Sequence, residues 1–173
     1  MKELLTPRLR LRGFRDQDLP ALAAMDRDPE VMRYIRAVGS EEEEIRRSAA
    51  LIADNQDKPL GVWAIESRDD GSFLGAGMLK PLPESDDVEV GYRLAKAAWG
   101  RGIATEAGLR LRDHGFEDLG LEEIVAVTDP DNEASQKVLV KLGLSFQGLR
   151  RAHGIDGLHF FLLRRVEWQG RVA

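Results

Sequence analysis

The segment Trp99-Gly100-Arg101-Gly102-Ile103-Ala104-Thr105 follows a half-apolar strand, Val88–Leu94, and runs straight into a helical stretch over 106–118. This junction constrains the fold more than any other part of the chain. Its paired glycines let the backbone bend and come close to a ligand. The first-turn N–H groups of the following helix have no intrahelical acceptors, so they point toward whatever negative charge lies there. A pyrophosphate suits that geometry. A glycine pair that merely turns a strand into a helix has the same local sequence, so the ligand reading needs a second segment.

Asp129-Pro130-Asp131-Asn132-Glu133-Ala134-Ser135 provides one. It leads into Val138, Leu139, Leu142 and Gly143, the pattern of a capped helix closed by a C-terminal glycine. Asn132 and Ser135 lie about one turn apart and share a face near the helix start, where polar side chains serve a ligand as readily as a cap.

Elsewhere the periodicity is mixed. Arg8, Arg10 and Arg12 alternate with Leu9 and Leu11, which predicts an opening strand with its arginines solvated. Short helices are expected over 19–25 and 30–35. Ser40 and Glu43 form a capping box, and Glu42 and Glu43 stand four residues before Arg46 and Arg47, so 41–53 reads as a stable, exposed helix. Residues 61–66 and 72–79 form a hairpin around Asp69-Asp70-Gly71, and Glu123–Thr128 is a buried strand. Strands over 145–149 and 159–166 finish the chain. Strands, then helices, then strands again imply an α/β (α+β mixed) fold, a mixed sheet flanked by helices. With no linker and no internal repeat, residues 1–173 read as one domain.

Composition excludes several classes. With no cysteine in 173 residues, disulfide frameworks, thiolate catalysis and sulfur-ligated zinc are ruled out. The net charge of −5 comes without a basic block, so no nucleic-acid partner is expected. That mild acidity suits cationic acceptors or plain solubility. No apolar run approaches the roughly 20 residues of a membrane helix, and the first five residues are too short for a signal peptide, so a cytoplasmic location is expected.

Taken together, Gly100-Arg101-Gly102-Ile103-Ala104-Thr105-Glu106-Ala107 and Asn132-x-x-Ser135 ending in Lys141-Leu142-Gly143 resemble the GNAT superfamily of acyl-CoA-dependent N-acetyltransferases. Thr6-Pro7-Arg8-Leu9-Arg10-Leu11-Arg12 with Asp18 resembles its Rim-type branch, whose members acetylate N-terminal amines of ribosomal proteins. The resemblance runs from Leu5 to about Val166. It implies a GNAT-like, mostly antiparallel sheet with a splayed strand pair, acetyl-CoA as cosubstrate, no metal, and an amine-bearing acceptor that is a peptide N-terminus or a small molecule. Dimers occur widely among such proteins, so a homodimer is open.

By the same resemblance the pantetheine arm would bond to strand backbone at Tyr92, Arg93, Leu94 and Ala95. The pyrophosphate would sit on Gly100, Arg101, Gly102, Ile103 and Ala104, with the Thr105 hydroxyl as an extra donor. Arg101 either contacts phosphate or is simply solvated. Asn132 bonds the pantetheine arm or only caps its helix. The early helices would form part of the acceptor side. Trp99 stands where the superfamily often has Gln or Arg; the Rim-like branch tolerates Trp there, and a core aromatic anchoring the loop explains it as well.

Acetyl transfer needs a neutral amine near the thioester, donors for the developing oxyanion, and a proton for the departing thiolate. An α-amine of pKa about 7.7 to 8.0 needs only about 1 kcal/mol to deprotonate at neutral pH, whereas a lysine near 10.4 needs roughly 4 to 5. Strand N–H groups near Tyr92 and Arg93 are the candidate oxyanion donors. Many superfamily members protonate the thiolate with a Tyr on the second helix; here that position is Leu139, and the resemblance passes the general-acid role to Ser135. An N-terminal helix serine bonding a backbone group is the alternative. Glu89 is the best base candidate, since alternation puts it on the face of Gly91 and Arg93. His153 falls near a position where some Rim-like enzymes use a carboxylate, though the preferred reading is an idle loop histidine. His114 and His159 look structural, and Glu106 suits a first helical turn through the dipole.

Two other functions compete. A non-catalytic acyl-CoA-binding sensor would keep the cradle and lose its acid. A nicotinamide-dinucleotide oxidoreductase would use Gly100-x-Gly102-x-x-Thr105 and Asp129, but the third glycine is missing and the glycines come after more than half the chain.

Overall fold

Residues 1–54, 58–83 and 85–169 are described by a computed structural model. The ends of the expected 1–173 domain beyond 169 lie outside them. The strands are β1 (Leu4–Leu5), β2 (Leu9–Arg12), β3 (Gly61–Ser67), β4 (Phe73–Pro81), β5 (Val88–Leu94), β6 (Glu123–Thr128), β7 (Ser145–Ala152) and β8 (Ile155–Arg164). The helices are α1 (Leu19–Asp26), α2 (Pro29–Met32), α3 (Glu41–Asp54), α4 (Ile103–Asp113), α5 (Glu133–Leu142) and α6 (Arg165–Gln169).

The strands form one sheet in the order β1-β2-β3-β4-β5-β6-β8-β7. Every neighbouring pair is antiparallel except β5 and β6, which run parallel and meet in register only at Glu89 and Val125. Beyond Glu89 the two strands part. The expected splayed pair is therefore here, and a dinucleotide-binding Rossmann sheet, which is mostly parallel, is not.

Alternation assigns each strand residue to a face. Trp63, Ile65, Val90 and Leu94 pack with Ile103, Ala107 and Leu111 of α4 and with Leu139 and Leu142 of α5. Val62, Ala64 and Ala76 face the other way, onto Leu22 and Met25 of α1 and Ile52 of α3. Burying a large apolar side chain stabilises by about 1.5–3 kcal/mol, so both helical layers are held by many small increments. A third cluster, including Val125, Ala152, Leu158 and Leu162, joins β6 to the β7–β8 hairpin.

Several sequence expectations need correction. Arg12 is not solvated: only 4% exposed, it donates to Asp18 at 2.7 and 2.9 Å and to Glu66 at 2.7 Å. Burial alone would raise the Asp18 pKa, but hydrogen bonds from Arg12 and Arg15 hold it below its ordinary value. The 41–53 helix is present with its Ser40–Glu43 capping box, yet Glu44 is fully buried under Arg36 and Arg47. The helix expected over 106–118 starts earlier, at Ile103, and ends in wider π-type turns at His114–Asp118. The short helix expected over 30–35 stops at Met32, and residues expected to close the last strand form α6 instead.

Candidate active site

Two cavities meet where the sheet opens. One, about 490 Å³, is lined by Leu94, Gly100, Gly102, Ile103, Ala104 and Thr105 among others. The other, about 290 Å³, reaches Glu89, Gly91, Lys80, Leu139 and His153. Tyr92, Arg93, Asn132 and Ser135 line both.

The first cavity ends on the glycine junction. Gly100 and Gly102 hold φ of 71° and 75°, a left-handed conformation that side chains with a Cβ seldom adopt. Gly102 caps α4, and its carbonyl already accepts the Glu106 N–H at 3.0 Å. The earlier first-turn amides, at Ile103, Ala104 and Thr105, are the ones whose acceptors lie outside the helix. The N-terminal strand fixes this turn from behind. Glu106 accepts from the Thr6 hydroxyl at 2.5 Å, the Arg8 amide at 3.0 Å and Arg8 Nε at 2.6 Å, while Arg8 Nη1 donates to the Arg101 carbonyl at 3.0 Å. Burial would raise the Glu106 pKa, yet Thr6 and Arg8 hold it below the ordinary carboxylate range. Glu106 thus does more than complement the helix dipole. The Trp99 indole N–H donates to the Leu94 carbonyl at 2.9 Å, so Trp99 anchors the loop although its ring is 43% exposed. The Arg101 side chain is exposed.

On β5 the expected backbone run divides by direction. The Ala95 amide donates to the Leu74 carbonyl at 2.9 Å, so its N–H is spent on β4. Alternation turns the Arg93 N–H to β4 as well and leaves those of Tyr92 and Leu94 facing the gap beside β6. The Arg93 side chain binds Asp26 of α1 at 2.8 and 3.0 Å.

At the α5 end, Asn132 Oδ1 accepts the Ser135 amide at 3.1 Å, so Asn132 is a cap and a wall of both cavities together. Leu139 is buried and brings no hydroxyl. A tyrosine nevertheless reaches this corner from the strand, which sequence reading missed. The Tyr92 hydroxyl lies 3.2 Å from the Ser135 carbonyl and 3.3 Å from Ser135 Oγ. Burial pushes the Tyr92 phenol up to about 12, so it stays protonated, a hydrogen-bond donor beside the serine. The signal was present, because alternation turns Tyr92 to the α5 side, but nothing in the chain says that its tip meets Ser135.

Across the second cavity Glu89, its side chain only 4% exposed, lies 3.0 Å from Nε2 of His153. His153 and Gly154 form a two-residue hairpin turn with φ of 52° and 74°, the pattern of a type I′ turn. His153 is the one non-glycine residue with positive φ among the described residues. His114 is buried against Asp118 and Trp63, and His159 packs at a tilt against Phe146, both away from these two cavities. Among the described residues no cluster of His, Asp and Glu could hold a metal ion, and no helix is long and apolar enough to cross a membrane.

A sheet opened between parallel strands, with a glycine turn and first-turn helix amides at one end and a buried carboxylate at the other, is an arrangement that suits an acyltransferase. Residues 8–145 match the family model described as acetyltransferase (GNAT) domain, and the chain belongs to that family, as a GNAT-type N-acetyltransferase. It is 35% identical over 153 residues to the uncharacterized N-acetyltransferase YoaA of Bacillus subtilis, covering 87% of this chain and 86% of that one. Its fold is similar to a GNAT-family acetyltransferase from Bacillus anthracis, with a TM-score of 0.81 at 19% identity over 95% and 99% of the two chains. It is also similar, with a TM-score of 0.74 at 18% identity over 94% and 98%, to RimL, a ribosomal L7/L12 alpha-N-protein acetyltransferase solved in complex with coenzyme A.

Proposed function

We propose that this chain moves an acetyl group from acetyl-CoA to a primary amine, a protein N-terminal α-amine or a small-molecule amine, by direct attack in a ternary complex and without a covalent enzyme intermediate. The observation that carries this reading is the meeting of the two cavities at Tyr92 and Ser135. One leads to amides suited to a pyrophosphate, the other to a buried carboxylate suited to an ammonium ion.

The residues fit acetyl-CoA by shape and by donor set. The left-handed Gly100 and Gly102 let the first-turn amides of Ile103, Ala104 and Thr105 approach phosphate oxygens. The Tyr92 and Leu94 amides, unpaired by β6, are placed to bond the pantetheine arm, and the Tyr92 N–H is the donor for negative charge building on the thioester oxygen. Acetyl-CoA supplies the activated acyl group. Ser135 delivers the proton the departing thiolate needs, with the Tyr92 hydroxyl beside it as the next donor. Glu89 supplies the negative charge to which the ammonium ion loses its proton. Alignment of amine and thioester accounts for about 7 to 11 kcal/mol of the barrier in well-oriented systems, so these groups need to contribute only modest further amounts.

The RimL likeness supports an α-amine acceptor, the coarse acidity a cationic one, and a cytoplasmic enzyme is the setting in which both are at hand. The test is release of free coenzyme A from acetyl-CoA against a panel of peptide α-amines, alkylamines and polyamines. Saturable release with at least one amine, and acetylated product by mass, is expected. Tight binding of acetyl-CoA with no release across the panel would assign the chain to the sensor class.

A further inference from the structure

Resting on that reading, we propose that the base of this site is the pair Glu89–His153, with His153 as the half that connects the buried carboxylate to solvent. The two side chains come from distant parts of the chain, Glu89 from β5 and His153 from the β7–β8 turn, and meet at 3.0 Å where β5 and β6 begin to part. Both line the smaller cavity. The carboxylate is 4% exposed and the imidazole 32%, so the ring is the one of the two with an open edge. The backbone supports the pairing. A histidine at φ 52° sits in a conformation uncommon outside glycine, and here it aims the ring inward from the tip of a tight hairpin. Positive φ at a residue lining a cavity is a pattern that strain at functional sites follows.

The other titratable groups on this cavity are Lys80, directly opposite Glu89 on β4, Arg93 and Tyr92 on β5, Asp129 after β6, and Tyr34. Arg93 is held by Asp26 and Tyr92 by Ser135. In the resting site a carboxylate accepts from the Nε2–H of a neutral imidazole, and the pair carries one negative charge. Before attack, one N–H bond of the bound ammonium ion breaks and its proton joins the pair, which becomes net neutral as carboxylate and imidazolium and leaves the amine neutral. The amine then forms the C–N bond as the C–S bond breaks; the thiolate takes the Ser135 hydroxyl proton, and a second N–H proton of the attacking nitrogen restores the serine, so the amide leaves neutral. The exposed edge of the ring then returns the proton to solvent.

The experiment compares wild type, His153→Asn, Glu89→Gln and the double variant. Asn tolerates the left-handed conformation, so the hairpin survives, and thermal melts verify it. With an alkylamine acceptor, His153→Asn lowers kcat about a hundredfold at pH 7, at the low end of general-base effects, with the acetyl-CoA Kd unchanged. The loss shrinks as pH rises and the amine arrives neutral. The double variant is no worse than the poorer single variant by more than about twofold, as for residues acting as a unit. Single effects that multiply, or an unaltered pH profile in His153→Asn, overturn the pair. Nitrogen-15 spectra of labelled histidine in the resting protein read the tautomer without turnover. Nε2–H is expected; a neutral ring protonated at Nδ1 overturns the pairing even if the enzyme is active. No coenzyme A release from wild type with any amine would sink the transferase reading, and the tautomer would then decide the pairing by itself.

Discussion

At the scale of single residues, the two hydroxyls proposed to handle the thiolate proton come from different elements. The α5 position to which the superfamily resemblance gives a tyrosine is Leu139, and the Tyr92 phenol of β5 lies 3.3 Å from Ser135 Oγ. Two substitutions separate the contributions. Ser135→Ala should lower kcat by about a hundredfold or more, as loss of a general acid does, while the acetyl-CoA Kd moves less than about threefold. Turnover of the Ala variant equal to wild type would remove Ser135 from the acid role. Tyr92→Phe keeps the half-buried ring and deletes only the hydroxyl, a hydrogen-bond loss of about 1 kcal/mol in stability. If the phenol feeds protons to the serine, kcat falls in Tyr92→Phe and the double variant is no slower than Ser135→Ala alone. Urea melts and product-release assays on the same samples distinguish a stability loss from a catalytic one.

At the scale of elements, a buried carboxylate pins α3 to the segment that follows α2. Glu44 of α3 accepts from Arg36 at 2.5 and 2.7 Å, from the Gly39 amide at 2.8 Å and from Arg47 at 2.7 Å. The Arg36 hydrogen bond, aided by Gly39 and Arg47, lowers the Glu44 pKa to about 2 from an ordinary 4.5. A carboxylate whose folded pKa is depressed contributes stability that is full above its unfolded value and is lost as pH falls through the folded one. Wild type should therefore lose stability relative to Glu44→Gln between about pH 4.5 and 2, with the two curves parallel above that window. Urea midpoints measured across pH check it, and a constant offset at every pH would contradict it. On the opposite layer, Gly102→Val forces a β-branched residue to φ 75° in the turn that opens α4. Its acetyl-CoA Kd should rise at least tenfold by isothermal titration, and an unchanged Kd would count against the cradle.

At the scale of the whole molecule, what was legible in the chain was local and what was hidden was long-range. The period-two strands through β6, the glycine turn and the capped α5 all follow from neighbours within a few residues, and their bounds fell close to expectation, whereas β7 and β8 run three and four residues further into their shared hairpin turn than expected. The solvated reading of Arg12 failed because Glu66 reaches it only after β3 pairs with β2 and because the turn at 16–18 folds Asp18 back onto it, and the idle reading of His153 leaves out Glu89 because β7 and β5 are joined through β6 and β8. The gap itself was implied by resemblance alone; no single strand encodes that β5 and β6 pair in register only at Glu89 and Val125. That gap makes a prediction for the entire fold, because a ligand bridging it adds to the folded state what the sheet leaves unmade. At a hundred times its Kd, acetyl-CoA should stabilise the protein by about 2.7 kcal/mol, provided the unfolded chain does not bind it. For a domain of this size that is a rise in Tm of roughly 5 to 11 °C, since each kcal/mol shifts a domain of 150–250 residues by about 2–4 °C. Amide exchange read residue by residue should then slow at Tyr92, Leu94, Ile103, Ala104 and Thr105. Arg93 and Ala95, whose amides already face β4, should change only with global stability. Equal added protection at all of β5 would mean that the ligand tightens the sheet without entering the gap.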